Sequence, residues 1–543
     1  MSATNLVLLR KSASLAFLTI LNIIFFCYSL RSFRIDWDII GGFSLVAWAL
    51  LLPFVPATLR TRSLLLAALL VTALMYMRLF WVGTNAFYFE NQLLTILKHG
   101  NFCQDTAFNS AIAEMIKNYG VPSTGLNGTP YLHYHWGGNA LLAGISKILN
   151  LPTVVAYPYF ITFFAALMIG SVLLFCAGSR GFFQAALALA CLQLANLHGH
   201  IFKCFDLGTS TAVMLMGMTM ILLEKNHVWW RTPLICCLTG LCLLSKGSVG
   251  CYMVVYSGLS ILFGSSETNQ KIWGLIGLGG CALAVVFLVT PPELAGSLKW
   301  EWGNQLKEWS GKNAGANLGW GWYYFMPVLL VAAGWKKNRP SLDSFMGLML
   351  CVAVFIALNV TFYNASGMHF VAGAMWCSLF RISNTRSDAI NNLISKALAI
   401  AIAFYVLFNG ADYLKARVPI NADSTQTTAK RTNADYEIEA LFAERENRGD
   451  YLIRIPEENL GFWRHWSYDG DSYSGRYFVA FWIPMLSGKP GFEAYNSTLM
   501  KNKKVGWYKP GAYGYRSYYT QEKLQDAKLK IKIIQSPNQE NIK

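Results

Sequence analysis

Asp105 stands directly before TAFNSAIAEMIKNYG, a stretch in which Phe108, Ile112, Met115, Ile116 and Tyr119 recur at helical spacing. Two chemistries suit an acid at that point. It can cap the helix, its carboxylate accepting hydrogen bonds from the free amides of the first turn, or it can act as a general base that takes a proton from an acceptor hydroxyl. The roles are compatible, because a cap is held where a base must be held. Glu114, expected on the solvated face of the same helix, and Glu90, which opens a preceding one with Asn91 and Gln92, are secondary acidic candidates. Beyond the turn-rich GVPSTGLNGTP comes YLHYHWGG, where His133 and His135 flank Tyr134. Alternating histidines can bind metal, but no third ligand is near. Hydrogen bonding to a phosphate or sugar hydroxyl, and ordinary interfacial structure, are the readings left for them. No cofactor is called for, and a divalent cation is not indicated.

A second motif is GLCLLSKGSVG at 240–250, in which Lys246 ends an apolar run beside Gly247 and Gly250. A lysine at a helix end commonly snorkels to the membrane interface. A charge in or near a membrane segment is also costly enough to suggest function, and a cation beside glycine-rich backbone suits a lipid-linked phosphate. Lys203 adds a cation and Asp206 an acid just before another apolar run, where helix capping is the simpler role for Asp206.

What carries these residues is a membrane. Of 543 residues 54% are hydrophobic and only 14% charged, against about a quarter charged in a soluble protein. Apolar runs near 12–30, 39–57, 64–83, 153–177, 181–198, 208–224, 232–246, 249–265, 272–290, 321–335, 343–361, 367–380 and 394–411 read as thirteen spans, each near the roughly 20 residues that cross about 30 Å of hydrocarbon. With the N-terminus cytoplasmic, every inside loop is basic: Arg10 and Lys11, Arg60 and Arg62, Arg180, Lys225 and Arg231, Lys271, Lys336, Lys337 and Arg339, then Arg381 and Arg386. That arrangement requires 137–149, with Lys147 inside it, to be a re-entrant or interfacial helix instead of a span. The net charge of +16 is then mainly a topology signal, with affinity for anionic lipid second. Nucleic-acid binding is excluded as the reading of this charge.

The outer face thus holds the long loop 84–136, the shorter loops 199–207 and 291–320, and the chain from about 414 onward. The expected fold class is an α-helical polytopic membrane protein with a small C-terminal α/β domain. The expected division is a membrane domain 1–413 with its active site in the outer loop 84–136, a polar linker 414–434 and an extracytoplasmic domain 435–543. In that last domain YEIEALFAER reads as a short helix, and YLIRI, YFVAFWI and LKIKII as strands. Its aromatic content predicts that it folds largely on its own. Cys103 and Cys204 both fall in outer loops, so a disulfide between them is one reading.

Taken together, the first-loop acid with its amphipathic helix, Gly-Val-Pro and the Tyr-His segment resemble the first outer loop of GT-C type integral membrane glycosyltransferases. GLCLLSKGSVG resembles the Leu-Thr-Lys-Gly-Pro motif of members that transfer mannose, arabinose or aminoarabinose from polyprenyl phosphate. The resemblance implies Asp105 as base and Lys246 holding phosphate, with His133, His135 and Lys203 as further groups around the leaving phosphate. It implies a polyprenyl-phosphate sugar donor, a glycan, lipid or protein acceptor, inverting transfer, and a bacterial inner membrane. A transporter or flippase of lipid-linked saccharide, and an assembly factor without catalysis, are the alternatives. A transporter should show internal repeats and midplane charges, whereas the conspicuous polar residues here lie in outer loops.

Overall fold

The computed structural model describes residues 104–126, 128–129, 131–159, 207–223, 231–263, 267–289, 433–456, 458–459, 462, 479–492 and 530–534, with isolated short pieces between 298 and 377. In chain order the helices are α1 Gln104–Tyr119, α2 Gly137–Ile148, α3 Thr153–Tyr159, α4 Leu207–Leu223, α5 Arg231–Ser245, α6 Gly247–Leu262, α7 Thr268–Val289, α8 Asn433–Ala443 and α9 Trp482–Ser487. The strands are β1 Leu298–Trp300, β2 Trp335–Lys336, β3 Arg339–Pro340, β4 Val360–Phe362, β5 Tyr451–Arg454 and β6 Lys530–Ile533. β1 pairs antiparallel with β4, β2 antiparallel with β3, and β5 parallel with β6. The expected spans that fall wholly elsewhere lie outside the described residues, as do Glu90, Lys203, Asp206, Cys103 and Cys204.

The chain forms two compact units, one of Met1–Arg78, Ile161–Leu288 and Pro292–Val418, the other of Leu79–Phe160, Val289–Pro291 and Pro419–Lys543. In the first, α4, α5 and α6 pack closely together, and α7 touches α5 and α6 through a few side chains. Cys242 on α5 meets the Ala212 carbonyl of α4, and Arg231 at the other end of α5 donates to the Leu222 carbonyl. Thr239 and Ser257 bond across the α5–α6 pair at 3.1 Å, and Cys236, Ile261 and Leu278 form a small core joining α5, α6 and α7. Four expected runs, 208–224, 232–246, 249–265 and 272–290, thus coincide with α4 to α7 to within a few residues. α7 is long and apolar enough to cross a membrane. Only Gly274, Leu278 and Val285 of it are buried, while Trp273 and Phe287 are 71% and 78% exposed. Among the described residues, basic Arg231 and Lys271 lie at the end of this bundle opposite Lys246.

The turn between α5 and α6 is a single residue, Lys246, with extended backbone at φ −155° and ψ 106°. So short a reversal brings the two backbones together at Gly250. A Cβ built there would lie 2.2 Å from Leu243 Cα, so only glycine fits.

The second unit joins two distant stretches of sequence. α1 packs against α2, α3 and α9, and α9 against α8. Among the described residues, the C-terminal segments around α8 and α9 share a core with α1. Phe108 of α1 meets Phe481 edge-on with ring centroids 5.3 Å apart. Gly128 donates its amide to the Gly491 carbonyl, and Gly491 to Gly125. Gly125 has φ +71°, and a Cβ there would lie 2.8 Å from both Met115 and Pro484.

Two expectations change in this unit. α1 was expected to be amphipathic with one solvated face, but Ala107, Phe108, Ala111, Ile112, Ala113, Glu114 and Met115 are all buried, because the C-terminal segments cover the second face. YFVAFWI was expected as a strand; it is a 3-10 turn Val479–Phe481 running into α9. A continuous apolar run has no period to distinguish helix from strand, and Pro484 in the first turn with Gly488 left-handed at the C-terminus fits a short helix. The interfacial helix expected at 137–149 is α2, in which Ser146 is fully buried while Gly144, Lys147 and Ile148 are exposed.

Candidate functional site

The first-loop unit is organised around α1. The helix begins at Gln104, so Asp105 sits in its first turn instead of ahead of it. An acid at that place is favoured by the positive end of the helix dipole. α2 is fastened to the next turn by Asn139, whose side-chain amide donates to both the carbonyl and the side-chain oxygen of Asn109 at 3.0 Å. α3 is fastened by Thr153, whose hydroxyl donates to the Ser110 carbonyl at 2.8 Å.

Glu114 departs most from what its neighbours in sequence suggest. It is fully buried, accepting from Arg445 at 2.8 Å and from the Thr153 amide at 2.8 Å, with Lys117 3.9 Å away. Arg445 also donates to the Met485 carbonyl, and Asn118 to the Gly488 carbonyl. Burial alone would raise the Glu114 pKa, but the charges of Arg445 and Lys117 and the Thr153 hydrogen bond outweigh it and hold the carboxyl below its ordinary range. The expectation of a solvated Glu114 is therefore corrected, and a carboxylate locked this way is unsuited to act as a base. Arg445 escaped sequence reading. An arginine in a charge-rich ERENR run looks like a solvated face, and no local signal links it to α1.

His133 and His135 lie on the segment between α1 and α2, which Leu132 pins by burial and by donating its amide to the Pro122 carbonyl. The rings around them are ordered: Tyr131 meets His133 edge-on at 5.1 Å, His135 lies against Tyr134 at 3.7 Å, and Tyr134 meets Phe108 edge-on at 5.6 Å. Trp136 donates its indole N–H to the Tyr131 hydroxyl at 3.2 Å. His133 Nδ1 is buried without a hydrogen-bond partner. Among the described residues no three His, Cys, Asp or Glu side chains converge as a metal site.

Lys246 belongs to the other unit. It is only 8% exposed and stands at the N-terminus of α6, its own carbonyl accepting from Val249 and Gly250. The amides of Gly247 and Ser248, in the first turn, have no acceptor within the helix. Ser248 is also 8% exposed, and its hydroxyl has no hydrogen-bond partner. A Cβ on Gly247 would meet no atom within 4 Å, so its backbone borders open space. An ammonium, a hydroxyl and helix N-terminal amides at one apolar turn form a surrounding suited to a phosphate oxyanion. Asp105, His133, His135 and Glu114 thus share one unit and Lys246 lies in the other.

No family model matches the chain, and no curated protein matches it. Among solved structures it is similar to the archaeal oligosaccharyltransferase AglB from Archaeoglobus fulgidus, in complex with an inhibitory peptide and a dolichol-phosphate. The identity is 12% and the TM-score 0.33, over 80% of this chain and 65% of that one. Similarity at this level fixes neither fold nor activity.

Proposed function

We propose that the chain is a polytopic membrane glycosyltransferase that moves one sugar from a polyprenyl-phosphate donor to an acceptor on the outer side of the membrane. The observation that carries this reading is the turn at Lys246. A buried cation, a buried hydroxyl and helix N-terminal amides sit together at the end of two apolar helices, where a lipid tail would lie along hydrocarbon and its phosphate would reach a polar end. A soluble anion would not require that setting.

In the proposed reaction Asp105 accepts the proton of the acceptor hydroxyl as that oxygen attacks the anomeric carbon from the face opposite the phosphate. The bond from the anomeric carbon to the phosphate oxygen breaks, the configuration inverts, and polyprenyl phosphate leaves with a new negative charge, the kind of group that the turn at Lys246 and Ser248 is proposed to bind. His133 and His135, which share a unit with Asp105, are proposed for the acceptor side in place of the leaving-phosphate role that the sequence suggested.

The test is transfer by the purified full-length protein from a panel of radiolabelled polyprenyl-phosphate sugars, with Lys246→Met as the paired variant. The methionine keeps the apolar stem and removes the charge. Donor KM is expected to rise and kcat to fall, by roughly tenfold or more together, for loss of one charge-assisted contact. Labelled saccharide crossing vesicles intact, with no sugar transferred, would replace the transferase reading with a transporter.

A further inference from the structure

We infer that the ring cluster Tyr131, His133, Tyr134, His135 and Trp136 is a stacking platform for a neutral saccharide. The inference rests on the transferase reading and names the chemistry of its acceptor. Pyranose rings present patches of C–H bonds on their faces and hydroxyls around their edges. They are bound by fixed aromatic faces with hydrogen-bonding groups at the rim.

The cluster offers both features. Its rings are fixed before any ligand arrives, because Leu132 is 1% exposed and anchors the backbone from below, and because the rings brace one another. The Trp136 indole donates to the Tyr131 hydroxyl, Tyr131 stands edge-on to His133, and Tyr134 is held between His135 and Phe108. Tyr131 is exposed, while His133, Tyr134, His135 and Trp136 are half-buried. Phe108 lies one turn along α1 from Asp105, so the brace ends on the helix that carries the proposed base.

The unmet group is His133 Nδ1, buried and without a hydrogen-bond partner. Leaving a buried polar atom unpaired costs about 1–3 kcal/mol, so a small rotation of the half-buried His133 ring that presents this nitrogen to a sugar hydroxyl, able to donate to it or accept from it, relieves that cost. An interfacial anchor in lipid would leave it unmet. Acyl chains offer no hydrogen bond, and a membrane belt places the polar tip of Trp toward headgroups, whereas here the Trp136 N–H is spent on the Tyr131 hydroxyl.

The experiment uses full-length protein in nanodiscs and measures binding of neutral trisaccharides of glucose and of mannose by saturation-transfer NMR, without donor or turnover. Wild type should bind at least one of them. Trp136→Ala and His133→Ala should each weaken binding roughly threefold to tenfold, the range for losing one ring contact or one hydrogen bond, while Trp136→Phe keeps a ring and most of the affinity. Quenching by brominated lipids, taken as wild type minus Trp136→Phe, should leave Trp136 emission unaffected. Two results would overturn the platform: no binding of either trisaccharide by wild type, or wild-type affinity in Trp136→Ala accompanied by lipid quenching of Trp136. Either result alongside intact sugar transfer would leave the transferase standing with a different acceptor site. Binding without any transfer would do the reverse.

Discussion

Glu114 and Arg445 are 331 residues apart in sequence, and their ion pair is one of the strongest local constraints on the first-loop unit. Removing one member of a buried pair leaves the other uncompensated, which costs about 3–5 kcal/mol. Glu114→Ala and Arg445→Met should each lower stability by that order in thermal unfolding of the detergent-solubilised protein. The double variant Glu114→Met with Arg445→Met should recover much of it, since an apolar pair needs no charge partner. The pH dependence follows from the direction of the shift. Because the folded-state pKa of Glu114 lies below its ordinary value of 4.5, the pair stabilises fully above that value, and the contribution is lost as pH falls through the folded value. Acid-induced unfolding below about pH 4.5 should therefore flatten in the double variant. None of this was legible around Glu114 in the sequence, where helical spacing places it among polar neighbours and its partner is invisible. Asp105, Lys246 and the two histidines were legible because polar residues at the edges of apolar runs stand out by type alone.

At the scale of elements, α4 to α7 were readable because a continuous apolar run of this length admits few structures other than a helix. The short pieces near the C-terminus were not all readable. β5 and β6 appeared where YLIRI and LKIKII suggested strands, while the described part of YFVAFWI is a turn and a helix, with Ala480, Phe481, Trp482 and Ile483 all buried. The hairpin at Lys246 gives a sharp paired test. Gly250→Ala forces a methyl group into the Leu243 backbone, whereas Gly247→Ala meets open space. Size-exclusion profiles in detergent should show Gly250→Ala misfolded and Gly247→Ala monodisperse; equal behaviour would refute the one-residue turn. Similarly, a 430–543 fragment should fail to give a cooperative melt alone, because Phe481 and its neighbours complete their packing on α1. A sharp transition in the isolated fragment would restore an independent domain.

At the scale of the whole molecule, the proposal is a polytopic protein whose first loop and C-terminal segments lie outside the cytoplasm. A reporter active only outside, fused after Lys415, should be active. Cysteine placed at Ile148, which is 77% exposed on α2, should label from the outer side; labelling only from the cytoplasmic side would put α2 across the membrane and reverse the arrangement. With α2 only 12 residues long, it spans about 18 Å, too short for the hydrocarbon core. The division into two compact units was not legible, since the apolar periodicity that marks spans carries no information on which distant loops pair. It is the shared core of α1 and the C-terminal segments that makes the first-loop unit a scaffold able to hold an acid in place. The central claim is that this acid, Asp105, accepts a proton during sugar transfer, and the most direct measurement is single-turnover transfer by Asp105→Asn. Asparagine is nearly isosteric and is tolerated at a helix start, so the variant should fold and bind donor as wild type while transferring about 10²-fold more slowly or worse. Transfer at the wild-type rate by a folded, donor-binding Asp105→Asn would contradict the account.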